Sequence, residues 1–325
     1  MQSKGRLLKG LVVTGGTGLL GSEIVNENCG SIALASNDCD LLSNRWEDSL
    51  RYEISRLQKE CHANIDTVIH CAARVGGVKA NSDYVADFFD DNIKMNMNVL
   101  DACKDRDLKL VSILSTCIYP DTQYVRYPLT EDQLHMGPPH ESNFGYAHAK
   151  RMLEVQSRAY RKQFGCKFVC VIPNNLYGLN DNYDIESSHV IPALIRKFYE
   201  AKISLAKEVT LWGTGNALRE FTFARDAARI ITWIAENYHG DDPVNIGCTK
   251  EISIKDLSDI IRELVGFNGE VVWDTSKPNG QFRKPTSNKK LRELGWKEDY
   301  TPLEDGLRET VQYFKDNYPN LRGIR

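Results

Sequence analysis

The sequence predicts an α/β fold in which a doubly wound parallel sheet carries a smaller α/β lobe. Three observations predict it. Residues 10–13 (GLVV) form a short apolar run that passes directly into the glycine-rich TGGTGLLGSEIV. Strand-like and helix-like patterns then alternate along the chain, as a doubly wound sheet requires. From residue 174 onward, turn formers interrupt that alternation (NNLYGLNDNYDIESSHVIP), which marks the segments of a second lobe.

Gly15, Gly16, Gly18 and Gly21 satisfy both G-x-x-G-x-x-G and G-x-G-x-x-G, with a strand before them and a helical pattern after. This order forms a dinucleotide fingerprint: glycines admit the pyrophosphate to the backbone, and the helix N-terminus offers free N–H groups and a positive dipole end. A glycine turn without a ligand is the alternative, and the strand and helix on either side favour binding. A Rossmann-type sheet is therefore expected, with Gly15, Thr17, Gly18, Leu19 and Gly21 against the cofactor.

A second strand, residues 31–35, ends at Ser36-Asn37, where NAD-selective proteins usually place a carboxylate. Neutral groups there favour the 2′-phosphate of NADP, and Asp40 and Leu41 lie just beyond. The next strand, residues 66–73, closes on Ala72-Ala73, small enough for a cofactor to lie against the backbone. Residues 91–103 space Ile93, Met97, Leu100 and Ala102 as a helix face, with the methionines as core. The strand at residues 110–114 delivers Ser115-Thr116-Cys117 at its carboxyl end, the ligand-binding edge of such sheets.

Residues 119–142 lack periodicity and are expected to form a long loop over the site. A helix then opens with Asn143 as N-cap, and Tyr146 and Lys150, four residues apart, leave one face of it. A Lys ammonium near a Tyr favours the phenolate and lowers the hydroxyl's pKa, which suits carbonyl–alcohol conversion. A packed Tyr with a solvated Lys is the bland reading of the same spacing. Residues 168–172 form a strand that Pro173 ends, and a helix begins near His189. VTLWGTGNALREF reads as strand, turn and strand; residues 225–236 as a helix; residues 243–247 as a strand. Ser253 caps a helix that buries Ile254, Leu257, Ile260, Ile261 and Leu264 and stops at Gly266. A basic loop and a terminal helix follow. The expected division is 1–174 with 218–247 for the dinucleotide-binding domain, and 175–217 with 248–325 for the second lobe.

The chain has 325 residues, 42% hydrophobic and 26% charged, with a formal net charge of −3, and no Lys/Arg cluster interleaved with aromatics, so no nucleic-acid partner is expected. MQSKGRLLKGLVVTGG is too polar for a signal peptide, and no apolar run is long enough for a membrane span, so no membrane partner is expected and a cytoplasmic protein is. Nine Cys without a C-x-x-C pair fit reduced thiols, with no metal site.

Together, the glycine fingerprint, strand-end Ser115 and the Tyr146/Lys150 pair resemble the extended branch of the short-chain dehydrogenase/reductase superfamily. Further, STCIYPD, NFGYAHAKRM, VIPNNLYG, SHVIPALI, LWGTGNALREF and KPNGQFRK are similar to blocks of its GDP-4-keto-6-deoxymannose 3,5-epimerase/4-reductases, across nearly the whole chain. The resemblance implies NADPH as cofactor, a GDP-sugar as substrate, GDP-L-fucose as product, and a homodimer formed through a four-helix contact. It implies Ser115, Tyr146 and Lys150 as the reductase triad, with Asn92 as a fourth member, and Cys117 with His189 as the epimerisation pair. Asn175, Lys197, Trp212, Arg219 and Lys284 would face the nucleotide-sugar; Tyr146, Lys150, Pro173, Asn175, Leu176 and His189 would also touch the cofactor. Two positions depart from some members: Lys197 stands where they carry Arg, and Thr17 replaces an Arg near the cofactor phosphate.

The chemistry agrees with the resemblance. A ketone at carbon 4 acidifies the hydrogens on carbons 3 and 5, and inverting either centre needs a base on one face and an acid on the other. A Cys thiolate and a His that titrates near neutrality supply them. Each residue also has a structural reading: Cys117 as core, His189 as a helix-terminal residue, Arg219 as an ion-pair partner of Glu220 or Asp226, Trp212 as core, and His148 as structural. Two rival functions stay open at this point, a simple nucleotide-sugar epimerase or 4-reductase and a catalytically silent NADP sensor.

Overall fold

The computed structural model describes residues 10–277 and 279–324; residues 1–9, which begin the stretch judged too polar for a signal peptide, and Pro278 of the basic loop lie outside the described residues. The first half alternates as β1 (Leu11–Thr14), α1 (Leu19–Glu27), β2 (Ile32–Leu34), α2 (Leu50–Glu60), β3 (Thr67–His70), α3 (Val78–Asp83), α4 (Val85–Asp105), β4 (Lys109–Ile113), α5 (Phe144–Phe164) and β5 (Phe168–Pro173). The second half continues through β6 (Asn175–Tyr177), α6 (Val190–Ile203), β7 (Glu208–Trp212), β8 (Leu218–Phe223), α7 (Ala224–Asn237), β9 (Val244–Ile246), β10 (Glu251–Ser253), α8 (Ile254–Val265), β11 (Glu270–Asp274), α9 (Lys289–Glu293) and α10 (Leu303–Asn317).

Six strands in the order β2-β1-β3-β4-β5-β9 form an all-parallel sheet. Helices cover both faces, so β1, β3 and β5 are buried throughout and read as apolar runs. On one face Val12, Val68 and Leu110 pack with Leu50 and Ile54 of α2, Val99 and Leu100 of α4, and Leu153 of α5. On the other, Val13, Ile69 and Val111 pack with Ile24 of α1 and Ile231 and Ile234 of α7. Because β1 has β2 on one side and β3 on the other, strand order reverses there, and a crevice opens at the carboxyl ends.

The smaller lobe has a three-stranded sheet, β10-β8-β6, and a parallel pair, β11 with β7. Its core joins Tyr183, Ile195, Phe198, Leu257, Ile261 and Phe314. Ser253 Oγ caps α8 by accepting from Asp256 N, and Gly266 closes it at φ +81°, as its sequence predicts.

Several expectations change. The helix at residues 91–103 is the central part of α4, and Met97 is 47% exposed while Met95 is buried. Leu100 and Ala102 of the expected face are buried and Ile93 is half-buried, while Asn92 and Asn96 share the buried face in place of Met97. Asn143 stands at the N-cap of α5 without a capping side-chain bond. The two strands of VTLWGTGNALREF enter different sheets. The domain boundaries shift too: β8, expected in the larger domain, pairs with β6 and β10, while Leu291 and Trp296, expected in the smaller lobe, pack on the α7 face of the central sheet. Residues 119–142 are built from 3-10 turns, and Tyr119 Oη donates to Asn245 Oδ1 (2.7 Å) to pin them.

Candidate active site

At Gly15, Gly16 and Gly21 the segment from β1 into α1 leaves room only for glycine. Gly15 has φ +68°, and a β-carbon there would lie 2.8 Å from Ala72 N; one on Gly16 would lie 2.7 Å from Ala33 Cβ, and one on Gly21 would strike Gly15 O. Gly18 is the N-cap of α1, and no side chain caps the helix. Backbone N–H groups and the positive dipole end therefore face the crevice, as an anionic dinucleotide requires. Beyond β2, Ser36, Asp40 and Leu41 line the crevice, whereas Asn37 is exposed outside it. Asp38 turns its carboxylate back to accept from Ala35 N (2.8 Å).

Beneath the turn, Thr14 Oγ1 and His70 Nδ1 are 2.8 Å apart, and His70 Nε2 is 3.2 Å from Asn96 Oδ1. An amide oxygen only accepts, so these partners assign the proton to Nε2 and make Nδ1 the acceptor for Thr14. Burial, aided by the Lys150 charge, pushes the His70 pKa down to about 3 and keeps the ring neutral. Asn96 Nδ2 lies 3.5 Å from Ala149 O, which continues the chain to α5.

At the end of β4, Ser115 N-caps a 3-10 turn, Thr116–Ile118, by accepting from Cys117 N at 3.3 Å. That turn aims Cys117 at Lys284, whose Nζ is 3.4 Å from Sγ. Burial raises the thiol's pKa, but the Lys284 charge, a hydrogen bond with Ser115, the Lys284 hydrogen bond and the Arg219 charge outweigh it, and the net shift is downward. Lys150 is buried and donates to Ile113 O (2.8 Å), and burial lowers its pKa to about 8. Burial, then the charge of Cys117, pushes the Tyr146 phenol well up, and a hydrogen bond with Ser115 partly offsets them. Lys150 is not among the groups that shift Tyr146, contrary to the expectation from their spacing; its ammonium is turned to the Ile113 carbonyl.

Lys284 is held by its neighbours. Arg283 Nε donates to both Glu251 oxygens (2.8 and 2.9 Å), and Thr286 donates through N (3.1 Å) and Oγ1 (2.6 Å) to buried Glu220. Leu129 N to Pro285 O (2.8 Å) ties the segment to the central loop. Glu220 is thus engaged with Thr286, and Asp226 with Arg229 and Thr301, so neither pairs with Arg219. Arg219 donates to Leu218 O and Phe282 O. Trp212, 48% exposed, is not core; Lys197 and Lys277 ammonium groups lie 5.8 and 5.7 Å from its ring. His189 is exposed at the N-cap of α6 and makes no capping bond.

One cleft of about 930 Å³ brings these together. Its lining includes every residue expected to be catalytic, cofactor-binding or substrate-binding except Asn37. Asn92 also stays outside it, bonded through Oδ1 to Arg74 N and through Nδ2 to Arg74 O and Phe88 O. His148 packs on Phe144, with ring centroids 4.7 Å apart. Sequence reasoning missed the His70 chain, the Lys284–thiol contact and the Glu220 anchor. Only the polar residues inside apolar strands, His70 in β3 and Glu220 in β8, could have signalled them. Among the described residues no group of three or more His, Cys, Asp or Glu could hold a metal, and no helix is long and apolar enough to cross a membrane.

The sequence matches the model of the NAD dependent epimerase/dehydratase family over residues 11–247. It is 43% identical over 322 residues to GDP-L-fucose synthase of Dictyostelium discoideum, covering 96% of this chain and 97% of that protein. It is 36% identical over 291 residues to GDP-L-fucose synthase of Escherichia coli (strain K12), covering 86% and 90%. Its fold is similar to a crystal structure of a GDP-L-fucose synthetase from Naegleria fowleri bound to NADP, with a TM-score of 0.86 and 37% identity over 98% of this chain and 96% of that one.

Proposed function

The chain belongs to the NAD dependent epimerase/dehydratase family and, within it, to the GDP-L-fucose synthases, and on that premise we propose how its cleft works. It converts GDP-4-keto-6-deoxy-D-mannose to GDP-L-fucose by epimerisation at carbons 3 and 5 followed by reduction of the 4-keto group. The observation that carries this reading is the Cys117–Lys284 pair, two residues past Ser115 and in one cleft with Tyr146 and the glycine cradle. A simple reductase has no use for an activated thiol beside its carbonyl site, and a silent sensor has no use for either centre.

Cys117, held toward the thiolate by Lys284 and Arg219, takes a proton from the carbon next to the ketone. His189 returns a proton to the opposite face, and the cycle repeats at the second centre. Ser115 and Tyr146 hold the carbonyl oxygen while negative charge develops on it. The residues of the glycine turn, Ala72, Ala73 and Lys150 fit NADPH, which supplies hydride to carbon 4 when bound. Tyr146 then gives its proton to the alkoxide, and Lys150, beside it in the cleft, would hold the nicotinamide ribose. Trp212 stacks on the base or sugar, while Arg219, Lys197 and Asn175 face the nucleotide-sugar.

The protein acts in the cytoplasm as a homodimer through α4 and α5, where Phe89, Met97 and Phe164 are exposed; light scattering and a tagged chain test these two points. The decisive experiment incubates the protein with GDP-4-keto-6-deoxymannose and NADPH and follows cofactor oxidation and product stereochemistry. NADPH consumption with inversion at both carbons is expected. Consumption with retained configuration would reduce the protein to a 4-reductase, and no consumption would overturn the reading.

A further inference from the structure

We propose that Arg322, three residues before the last, is the cation that clamps the pyrophosphate of the dinucleotide, an inference that rests on the cofactor reading above. A β-carbon on Gly18 would lie 3.7 Å from Arg322 Nη1, so the guanidinium stands over the N-terminus of α1. It lines the cleft and is exposed there, and its guanidinium makes no hydrogen bond or ion pair among the described residues, although its charge acts on the buried Asp181 carboxylate in the same lining. Position 17 in the glycine turn is a Thr and supplies no charge. The helix end provides N–H groups and a partial charge, and a full positive charge at the same place doubles as a fork for phosphate oxygens.

The placement of Arg322 is built rather than incidental. Leu321 is buried in the core of the smaller lobe, Tyr183 N donates to Arg322 O (2.9 Å), and Arg196 Nη1 donates to Gly323 O (3.1 Å). Gly323, at φ +85°, packs where a β-carbon would lie 2.9 Å from Asp184 Cβ. The loop that receives the tail is itself joined to α1, because Asn180 Nδ2 donates to Ser22 Oγ (3.1 Å). Bonds to the carbonyls of Arg322 and Gly323, together with buried Leu321, therefore fix its backbone, and its guanidinium is left to meet an anion. Ser36 and Asp40, expected at the adenosine ribose, follow β2 rather than the glycine turn that Arg322 meets, so the 2′-phosphate is not its target.

The test compares direct binding of NADPH and NADH, by nucleotide fluorescence, to the parent and to Arg322→Gln. Both dissociation constants should rise by the same factor, about tenfold to a hundredfold, the weight of a charge-assisted hydrogen bond. The rise should shrink as salt is added. Arg322→Lys should recover part of the loss, and the unfolding midpoint without nucleotide should match the parent's. Unchanged affinities would overturn the proposal. A loss confined to NADPH would also overturn it, by assigning Arg322 to the 2′-phosphate. If Arg322→Gln lowers the nucleotide-free midpoint, the Lys variant decides: parental stability without any shift in affinity overturns the clamp. A parent that binds neither nucleotide would instead bring down the cofactor reading itself.

Discussion

Lys284 Nζ stands 3.4 Å from Cys117 Sγ, although 167 residues separate them in the chain. The contact depends on the anchoring of Lys284 between Arg283–Glu251 and Thr286–Glu220, which holds the ammonium against a thiol that burial alone would keep protonated. Lys284→Met should therefore slow alkylation of Cys117 by iodoacetamide at neutral pH by about tenfold, because less of the thiol is ionised. Peptide mapping of the labelled protein reads the rate at Cys117 apart from the exposed Cys29 and Cys61. An unchanged rate would mean that the ammonium does not activate the thiol.

Cys117→Ser separates the two reactions. Loss of a positioned acid or base costs about 10²–10⁴-fold, so exchange of solvent deuterium into carbons 3 and 5 should fall by that order. Hydride transfer to a substrate already inverted at both centres should survive. Mass spectrometry of products made in deuterium oxide decides it: deuterium entering at the parental rate would remove Cys117 from the mechanism.

Tyr146→Phe should lower reduction by about 10²–10⁴-fold and leave NADPH affinity nearly intact. Loss of nucleotide binding would show the tyrosine to be structural. Lys150 titrates at about 8, so its ammonium is present below that pH and disappears above it. The alkaline limb of kcat/KM should accordingly bend near pH 8 in the parent. In Lys150→Arg, whose guanidinium keeps its charge, any residual activity should lose that bend.

His70 contributes to the loss of stability in acid. Its folded pKa, about 3, lies below the ordinary 6.5, so the unfolded chain binds the extra proton between these values. Its contribution to stability is complete above pH 6.5 and is lost as pH falls toward 3. Parent and His70→Asn should differ in slope over that window by about 1.4 kcal/mol per pH unit, the value for one proton. Denaturant titrations at several pH values measure it; parallel slopes would mean that His70 titrates normally.

The architecture was legible where spacing alone carried it. Gly15, Gly16 and Gly21 lie where backbone approaches backbone, and Ser253 and Gly266 bound α8 through local bonds, so short motifs sufficed. Met97 was misread because two buried asparagines, Asn92 and Asn96, occupy the inward stripe of α4, and their partners are remote in sequence. The same limit hid the contact of Lys284 with Cys117. Its side chain meets Cys117 only because Glu220, on another strand, holds Thr286. Lys150 lines the cleft with Tyr146, but its bond to Ile113 O depends on β4 and α5 meeting, which no four-residue spacing records.

β5 ends at Pro173 and β6 begins at Asn175, so a single residue carries the chain from the six-stranded sheet to the three-stranded one. The chain returns at β8 to α7, leaves again at β10, and comes back once more to seat Leu291 and Trp296. Recombination between relatives therefore has no clean seam. A chimera that exchanged the smaller lobe would have to be cut at each crossing, one of them inside a nearly continuous strand run. New sugar preference in such a chain is reached by point substitution at the cleft rather than by transplanting a module.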